Sequence, residues 1–336
     1  MCSTTWLDIT YYAETFGFLL SVFLNLILLF LISEMPKKTF GSYKYLMFSF
    51  SVLGIYYSSC DFWCKPNVHF TEVSFAVFND LRVTGFNKFS GTIVLAIYCS
   101  CYGMMLALLT IHFYYRYLSV TCPTKLSKFS LIYLPYWILL LLINFLMWFS
   151  AVYYLNGPSP MKDQLLYPEF LNDYCLSPQD VSYVGPQYFY EDLESGTLRI
   201  HIPSWVASGA MGCVMTFTFL CLTYFGLKTY LHLKKFTVIA GKKLQNQLFR
   251  TLVIQTIIPT VFMYLPVSCM FLFPLFGWKI QAMEPLIAIS VAVYPCFEPL
   301  VAMCCIRSFR RRITGILTCR SFKKEVKVSN VPTLAN

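Results

Sequence analysis

The sequence predicts an all-α integral membrane protein: a seven-transmembrane helix bundle with its N-terminus outside and a short amphipathic helix at the cytoplasmic tail. Three observations carry that prediction. Of the 336 residues, 57% are apolar and only 12% charged, roughly half the charged share of an average soluble protein. Seven stretches are long and apolar enough to cross a hydrocarbon core, which takes about 20 residues at about 1.5 Å of helix rise each. The basic residues between those stretches fall mostly on alternate sides.

Five stretches, 15–32, 89–115, 129–161, 202–227 and 251–278, contain no Asp, Glu, Lys or Arg. Two others tolerate acids: 45–64 holds Asp61 near its end, and 281–306 holds Glu284 and Glu298. The fourth run overshoots one crossing and is trimmed before the breaker cluster Asn156-Gly157-Pro158. The expected spans are therefore about 11–33, 45–64, 89–117, 129–154, 202–230, 249–276 and 281–306. They lie in a receptor-sized domain, 15–306, with residues 1–14 as an extracellular N-terminus. The start has no basic n-region and no small-residue cleavage site, so the first helix is read as retained rather than as a secretory signal.

Lys and Arg number 20 on the side holding the loops after the first, third and fifth spans and the tail, against six on the other. The positive-inside rule puts that basic side in the cytoplasm and the N-terminus outside. The net charge of +10 thus reports topology, and no nucleic-acid partner is implied. Residues 156–201, rich in Pro, Tyr and acids, read as an extracellular lid of short turns with a hairpin. The 234–248 loop is short and basic, and 322–336 reads as a disordered tail.

The third span ends His112-Phe113-Tyr114-Tyr115-Arg116-Tyr117. The sixth runs from Gln247-Leu248-Phe249-Arg250 through Pro259 to Met263-Tyr264-Leu265-Pro266, and the seventh ends Tyr294-Pro295-Cys296-Phe297-Glu298-Pro299-Leu300. With Gly41-Ser42-Tyr43-Lys44-Tyr45-Leu46-Met47 before the second span, these segments resemble the nematode chemosensory seven-transmembrane receptors of serpentine class Str. The resemblance covers essentially the whole chain. It implies a G-protein-coupled receptor that detects a small external odorant or pheromone-like chemical, couples to a heterotrimeric G protein and resides in the plasma membrane of a sensory-neuron cilium. Tyr115 stands where rhodopsin-like receptors carry an acid beside the arginine, and Tyr294-Pro295 with Glu298 replaces their seventh-helix Asn-Pro motif. The rival readings are a seven-span ligand-gated channel of odorant-receptor type and a small-solute transporter; a channel of that type would place its N-terminus in the cytoplasm.

Candidate residues follow from position and cost. Carboxylates inside a span are expensive, so Glu284 and Glu298 should face the bundle or water; Glu284 reads equally as a solvated end residue. His112 and Arg116, four apart, share a helix face, with Arg116 either snorkelling to lipid or facing a cytoplasmic cavity. His112, Arg116, Tyr117 and Glu298, with the hinge prolines Pro266 and Pro295, form the expected switch, in which Glu298 pairs with the basic face of the third helix directly or through water. Tyr98, Tyr102, Tyr264, Met270, Phe271 and Glu284 are the expected ligand contacts, although in a chain with 31 Phe and 24 Tyr any one aromatic is more often simple packing. Of the 14 cysteines, Cys2, Cys64 and Cys175 face the oxidising side. The positions near 89–91, where a rhodopsin-like bridge would start, hold none, and Cys64–Cys175 is the expected disulfide. In 307–321, Phe309, Ile313, Ile316 and Leu317 recur at helical spacing among arginines, as in a helix lying on an anionic leaflet, and Cys319 is a palmitoylation candidate. The four histidines are dispersed and no phosphate loop occurs, so no cofactor, metal or enzymatic activity is expected.

Overall fold

The computed structural model describes residues 2–34, 42–191, 197–235 and 253–317. Among them six helices are long and apolar enough to cross a membrane, and a seventh, less apolar, completes the bundle. The seven are α1 (Thr5–Ser33), α2 (Tyr43–Cys64), α3 (Lys88–Thr121), α4 (Leu131–Leu155), α5 (Ile202–Lys235), α6 (Val253–Phe276) and α7 (Met283–Cys305). An eighth helix, α8 (Arg307–Leu317), follows a break at Ile306. Residues 249–252 of the expected sixth span, Cys319 and the 322–336 tail lie outside the described residues, as does most of the 234–248 loop.

Helix α3 is the central post and packs against α2, α4 and α5. It starts on a capping box in which Asn87 Oδ1 accepts from Ser90 N and Ser90 Oγ accepts from Asn87 N, satisfying two of the helix's free donors. By contrast, α4 leaves Ile132, Leu139, Ile143 and Leu146 more than half exposed. In a bilayer such an apolar face meets lipid, which is as apolar as leucine itself. Phe309 of α8 is buried against Leu28, Ile32 and Met47, and Arg312 makes a bidentate pair with Glu34 at the end of α1, both contacts at 2.8 Å.

The lid departs from the expected turns. Residues 160–174 form a helix, with Ser159 accepting from Lys162 N at the cap and Pro160 at the first position, where a missing N–H costs nothing. Three antiparallel strands lie beside it in the order β1 (Asn67–Phe70), β2 (Phe75–Asp80), β3 (Val181–Val184), with Val68 opposite Val77 and Val77 opposite Val184. A separate hairpin pairs β4 (Phe189–Glu191) with β5 (Leu198–Ile200). Phe78, Phe170 and Tyr183 form the small core between sheet and lid helix.

The expected Cys64–Cys175 bridge does not form. Cys175, in a left-handed conformation just past the lid helix, is bonded to Cys2, and Cys64 is a free, fully buried thiol in the bundle core. The reason is the reach of α1, which begins six residues earlier than expected. Its leading residues meet the lid, where Ser3 N donates to the Asp173 carbonyl.

Candidate functional site

Beneath the lid, α2, α3, α4, α6, α7 and the sheet enclose a cavity of about 80 Å³. Tyr98 and Tyr102 of α3 and Met270 and Phe271 of α6 lie on its wall, together with Val77 and Ala288. Tyr264 and Glu284 do not line it. The Tyr264 hydroxyl donates to Thr218 Oγ1 at 3.0 Å, tying α6 to α5, and Glu284 is consumed by the lid. Prolines 259 and 266 bracket a π-turn at Thr260–Tyr264. Pro266 has no N–H for the carbonyl of Phe262, and the loosened turn presents the Met263 carbonyl to the Tyr102 hydroxyl at 3.2 Å.

Two wall residues were not picked out from the sequence. Asn156, immediately after α4, and Trp148, within it, are both buried, and neither the Asn156 amide nor the Trp148 indole N–H has a hydrogen-bond partner among the described residues. Buried polar groups without partners are uncommon and costly. The indole fits only because residue 103 is glycine: a Cβ there would lie 2.5 Å from Trp148 Cδ1. That small residue facing a tryptophan was the only signal available, and it requires knowing which faces meet.

The roof is fastened by backbone. Gly185 N donates to the Asn156 carbonyl at 2.9 Å, and a Cβ at Gly185 would run into the Phe75 carbonyl. Lys162, almost wholly buried, donates to the carbonyls of Gly157 and Gly185 at 3.0 and 2.8 Å. Its burial lowers the ammonium pKa to about 7.

A charged knot joins lid to bundle above the cavity. Glu284 accepts from Phe70 N at 2.9 Å and from the Tyr174 hydroxyl at 2.7 Å. His69, fully buried, has Nε2 at 2.7 Å from Glu169 Oε2 and Nδ1 at 3.1 Å from the Tyr174 oxygen and 3.3 Å from Glu284 Oε1. Because the Tyr174 proton goes to Glu284, both imidazole nitrogens face acceptors, which calls for the doubly protonated ring. Burial alone lowers the His69 pKa, but the hydrogen bonds to Glu169 and Glu284 outweigh it and raise it. Burial also acts to raise Glu169, yet the bonds from His69 and Lys279 leave it below its ordinary value. Lys279 Nζ stands 2.8 Å from Glu169 and 3.7 Å from Asp173. The trio His69, Glu169 and Asp173 has the chemistry of a metal site, but Lys279 already supplies a cation there.

At the opposite end, Arg116 and His112 share a face and meet Tyr43 of α2. Arg116 Nη2 donates to the Tyr43 oxygen at 2.7 Å, His112 Nε2 lies 3.2 Å from the same oxygen, and the Tyr43 ring stacks on Tyr115. The hydroxyl thus holds the arginine that has no adjacent acid. Glu298 accepts from Gln255 Nε2 at 3.3 Å. No direct ion pair within 4.0 Å joins Glu298 to Arg116 or His112 among the described residues; Tyr43, His112 and Glu298 line one small cleft between them. Tyr117 stacks on Phe225 of α5. Pro295 lies deep in α7 against α1.

Seven helices, a lidded cavity and an arginine at the far end of the third are matched by sequence relationship. Residues 10–314 match the family described as serpentine type 7TM GPCR chemoreceptor Str. The chain belongs to that family. It is similar to serpentine receptor class r-10 of Caenorhabditis elegans, 31% identical over all of this chain and 98% of that one, and to the protein of the same name from Caenorhabditis briggsae, 30% identical over the same shares. It is also similar to G-protein coupled receptor str-217 of C. elegans, 26% identical over 87% of this chain and 85% of that one. An Str chain is a multi-pass membrane chemoreceptor of the G-protein-coupled type, and the channel and transporter readings are not favoured.

Proposed function

We propose that this receptor detects a small, uncharged, largely apolar external chemical with at least one hydrogen-bonding group, and that the ligand occupies the lidded cavity. One observation carries the reading: an apolar cavity among whose lining residues the Asn156 amide, the Trp148 N–H and the Tyr57 hydroxyl are buried with no hydrogen-bond partner among the described residues. An apolar cavity of about 150 Å³ takes benzene, so a ligand for 80 Å³ is smaller still or moves the wall. No charged side chain lines it, and a charged ligand would lose its hydration without compensation.

The lidded end faces outside and the basic end faces the cytoplasm, in keeping with the 20-to-6 distribution of Lys and Arg. Binding between α3, α6 and α7 shifts a pre-existing equilibrium, opening the end that holds Arg116, His112 and Tyr117 to a heterotrimeric G protein. Pro266 and Pro295 serve as hinges, and Tyr43 and Gln255 hold Arg116 and Glu298 at rest. Palmitate on Cys319 would add an anchor to α8, and the residence of the receptor is the plasma membrane of a sensory cilium. The test is a panel of small volatile compounds on cells expressing the chain, with calcium or cyclic-nucleotide readout. An agonist whose potency falls in Asn156→Leu or Trp148→Phe at equal surface expression supports the reading; an agonist indifferent to both overturns it.

A further inference from the structure

A second cavity, of about 240 Å³, opens beside the first turns of α1 and is lined by Leu7, Asp8, Tyr11, Glu14, Lys65 and Asp80 among others. Glu14 is its most deeply buried acid, about 1% exposed, and neither carboxylate oxygen has a hydrogen-bond partner among the described residues. An unpaired carboxylate in such a place is costly. The surrounding charges do not neutralise it. Asp61, itself buried, and Lys65 are the ionisable groups that bear on Glu14, two acids to one base. Lys65 is turned elsewhere: its Nζ donates to Thr15 Oγ1 at 2.8 Å and sits over the rings of Tyr11 and Phe62 at 4.2 and 4.3 Å. The other base on the wall, Arg82, is committed to Asp80 through contacts of 2.7 to 3.2 Å.

We infer that this cavity is a binding site, separate from the one beneath the lid, for a small organic ammonium ion. Glu14 receives the charge, and Leu7, Tyr11 and Val83 receive the hydrocarbon. An inorganic cation fits less well, since a bare ion needs a close shell of oxygens and this wall mixes acids with apolar and aromatic groups. The site reaches the lid. Thr10 Oγ1, one turn before Glu14, donates at 2.6 Å to Asn67 Oδ1 at the start of β1, and Asn67 lines the cavity. An amine bound here therefore bears on the strand whose neighbours roof the first cavity, and acts as a modulator.

The experiment is calorimetric titration of the full-length receptor in lipid nanodiscs with n-butylammonium chloride, against 1-butanol and sodium chloride at matched ionic strength. Saturable butylammonium binding is expected, with none for butanol or sodium. Glu14→Gln should weaken it at least about tenfold, the equivalent of about 1.4 kcal/mol, while Ala288→Leu, in the other cavity, leaves it unchanged. Should Glu14→Gln fail to fold, Lys65→Gln provides a second readout: removal of a like charge from the wall should tighten binding of the ammonium ion about threefold. Absence of saturable butylammonium binding, equal affinity in Glu14→Gln, weaker binding in Lys65→Gln, or reproduction of the heat by sodium would each overturn the inference.

Discussion

Asn25 on α1 donates from Nδ2 to the carbonyl of Pro295 on α7 at 3.3 Å. That carbonyl lacks the usual helical donor, because the residue four positions on is Pro299, which carries no N–H. The amide is held in place by a second bond to the Ser21 carbonyl at 2.9 Å. Two small residues allow the approach: Gly17, where a Cβ would lie 3.3 Å from the Ala292 carbonyl, and Gly54, which faces the Asn25 amide. The carbonyl that Pro299 leaves without its helical donor is thus satisfied from α1.

Asn25→Ala leaves the Pro295 carbonyl unsatisfied in a buried place and should cost about 1 to 3 kcal/mol. Thermal unfolding of the purified receptor measures it, and Pro299→Ala in the same background should recover part of the loss by restoring the helical donor.

The lid should respond to pH through His69. Its raised pKa means that its contribution is complete below the ordinary value of 6.5 and is lost as pH rises through the raised one. The lowered pKa of Glu169 contributes above its ordinary 4.5 and is lost as pH falls through the lowered value. Stability from this pair is therefore greatest between about 4.5 and 6.5. Lys162, lowered from 10.5 to about 7, works the other way: stability from it rises with pH between those values. The quantity to measure is the melting temperature of wild type minus that of His69→Gln across pH 5 to 9, and the difference should shrink as pH rises.

Cysteine replacement should separate the two pairings. Cys2→Ser and Cys175→Ser should reduce surface expression equally, with the double variant no worse than either single one, whereas Cys64→Ser should leave the disulfide in place, as read by thiol labelling under non-reducing conditions.

Loss of the Tyr43 hydroxyl frees the Arg116 guanidinium from its one described side-chain hydrogen bond. Tyr43→Phe should raise ligand-independent signalling at equal surface expression, and Arg116→Ala should abolish coupling while sparing ligand binding. Glu298→Gln, keeping an acceptor for Gln255, should raise basal signalling less than Tyr43→Phe does.

The spans were legible because each is a single apolar run whose length the bilayer dictates. For Tyr98 and Tyr102 helical spacing gives a shared face, and for Met270 and Phe271 the nearby Pro266 gives a depth, but neither says which face meets the cavity. The lid was harder. Its helix carries Lys162, Leu166, Phe170 and Tyr174 at every fourth residue, all buried, a pattern obscured by Pro168 and by charged and polar residues between. Pairings between distant segments left no local trace. Cys2 with Cys175, Asn25 with Pro295 and Arg116 with Tyr43 lie 173, 270 and 73 residues apart, and nothing in the sequence around one residue of each pair names the other. Asn156 was read as a helix breaker because a side chain that ends a span and one that faces a cavity look the same until the roof is built.

The most direct measurement is the dose–response of an agonist on Ala288→Leu at matched surface expression. Ala288 is buried on the wall of the lidded cavity, and the added carbons would take up much of its 80 Å³. With the ligand in this cavity, potency should fall at least about tenfold, about 1.4 kcal/mol, with basal signalling and Arg116-dependent coupling retained. Unchanged potency in a normally expressed Ala288→Leu receptor would contradict that expectation and place the ligand elsewhere.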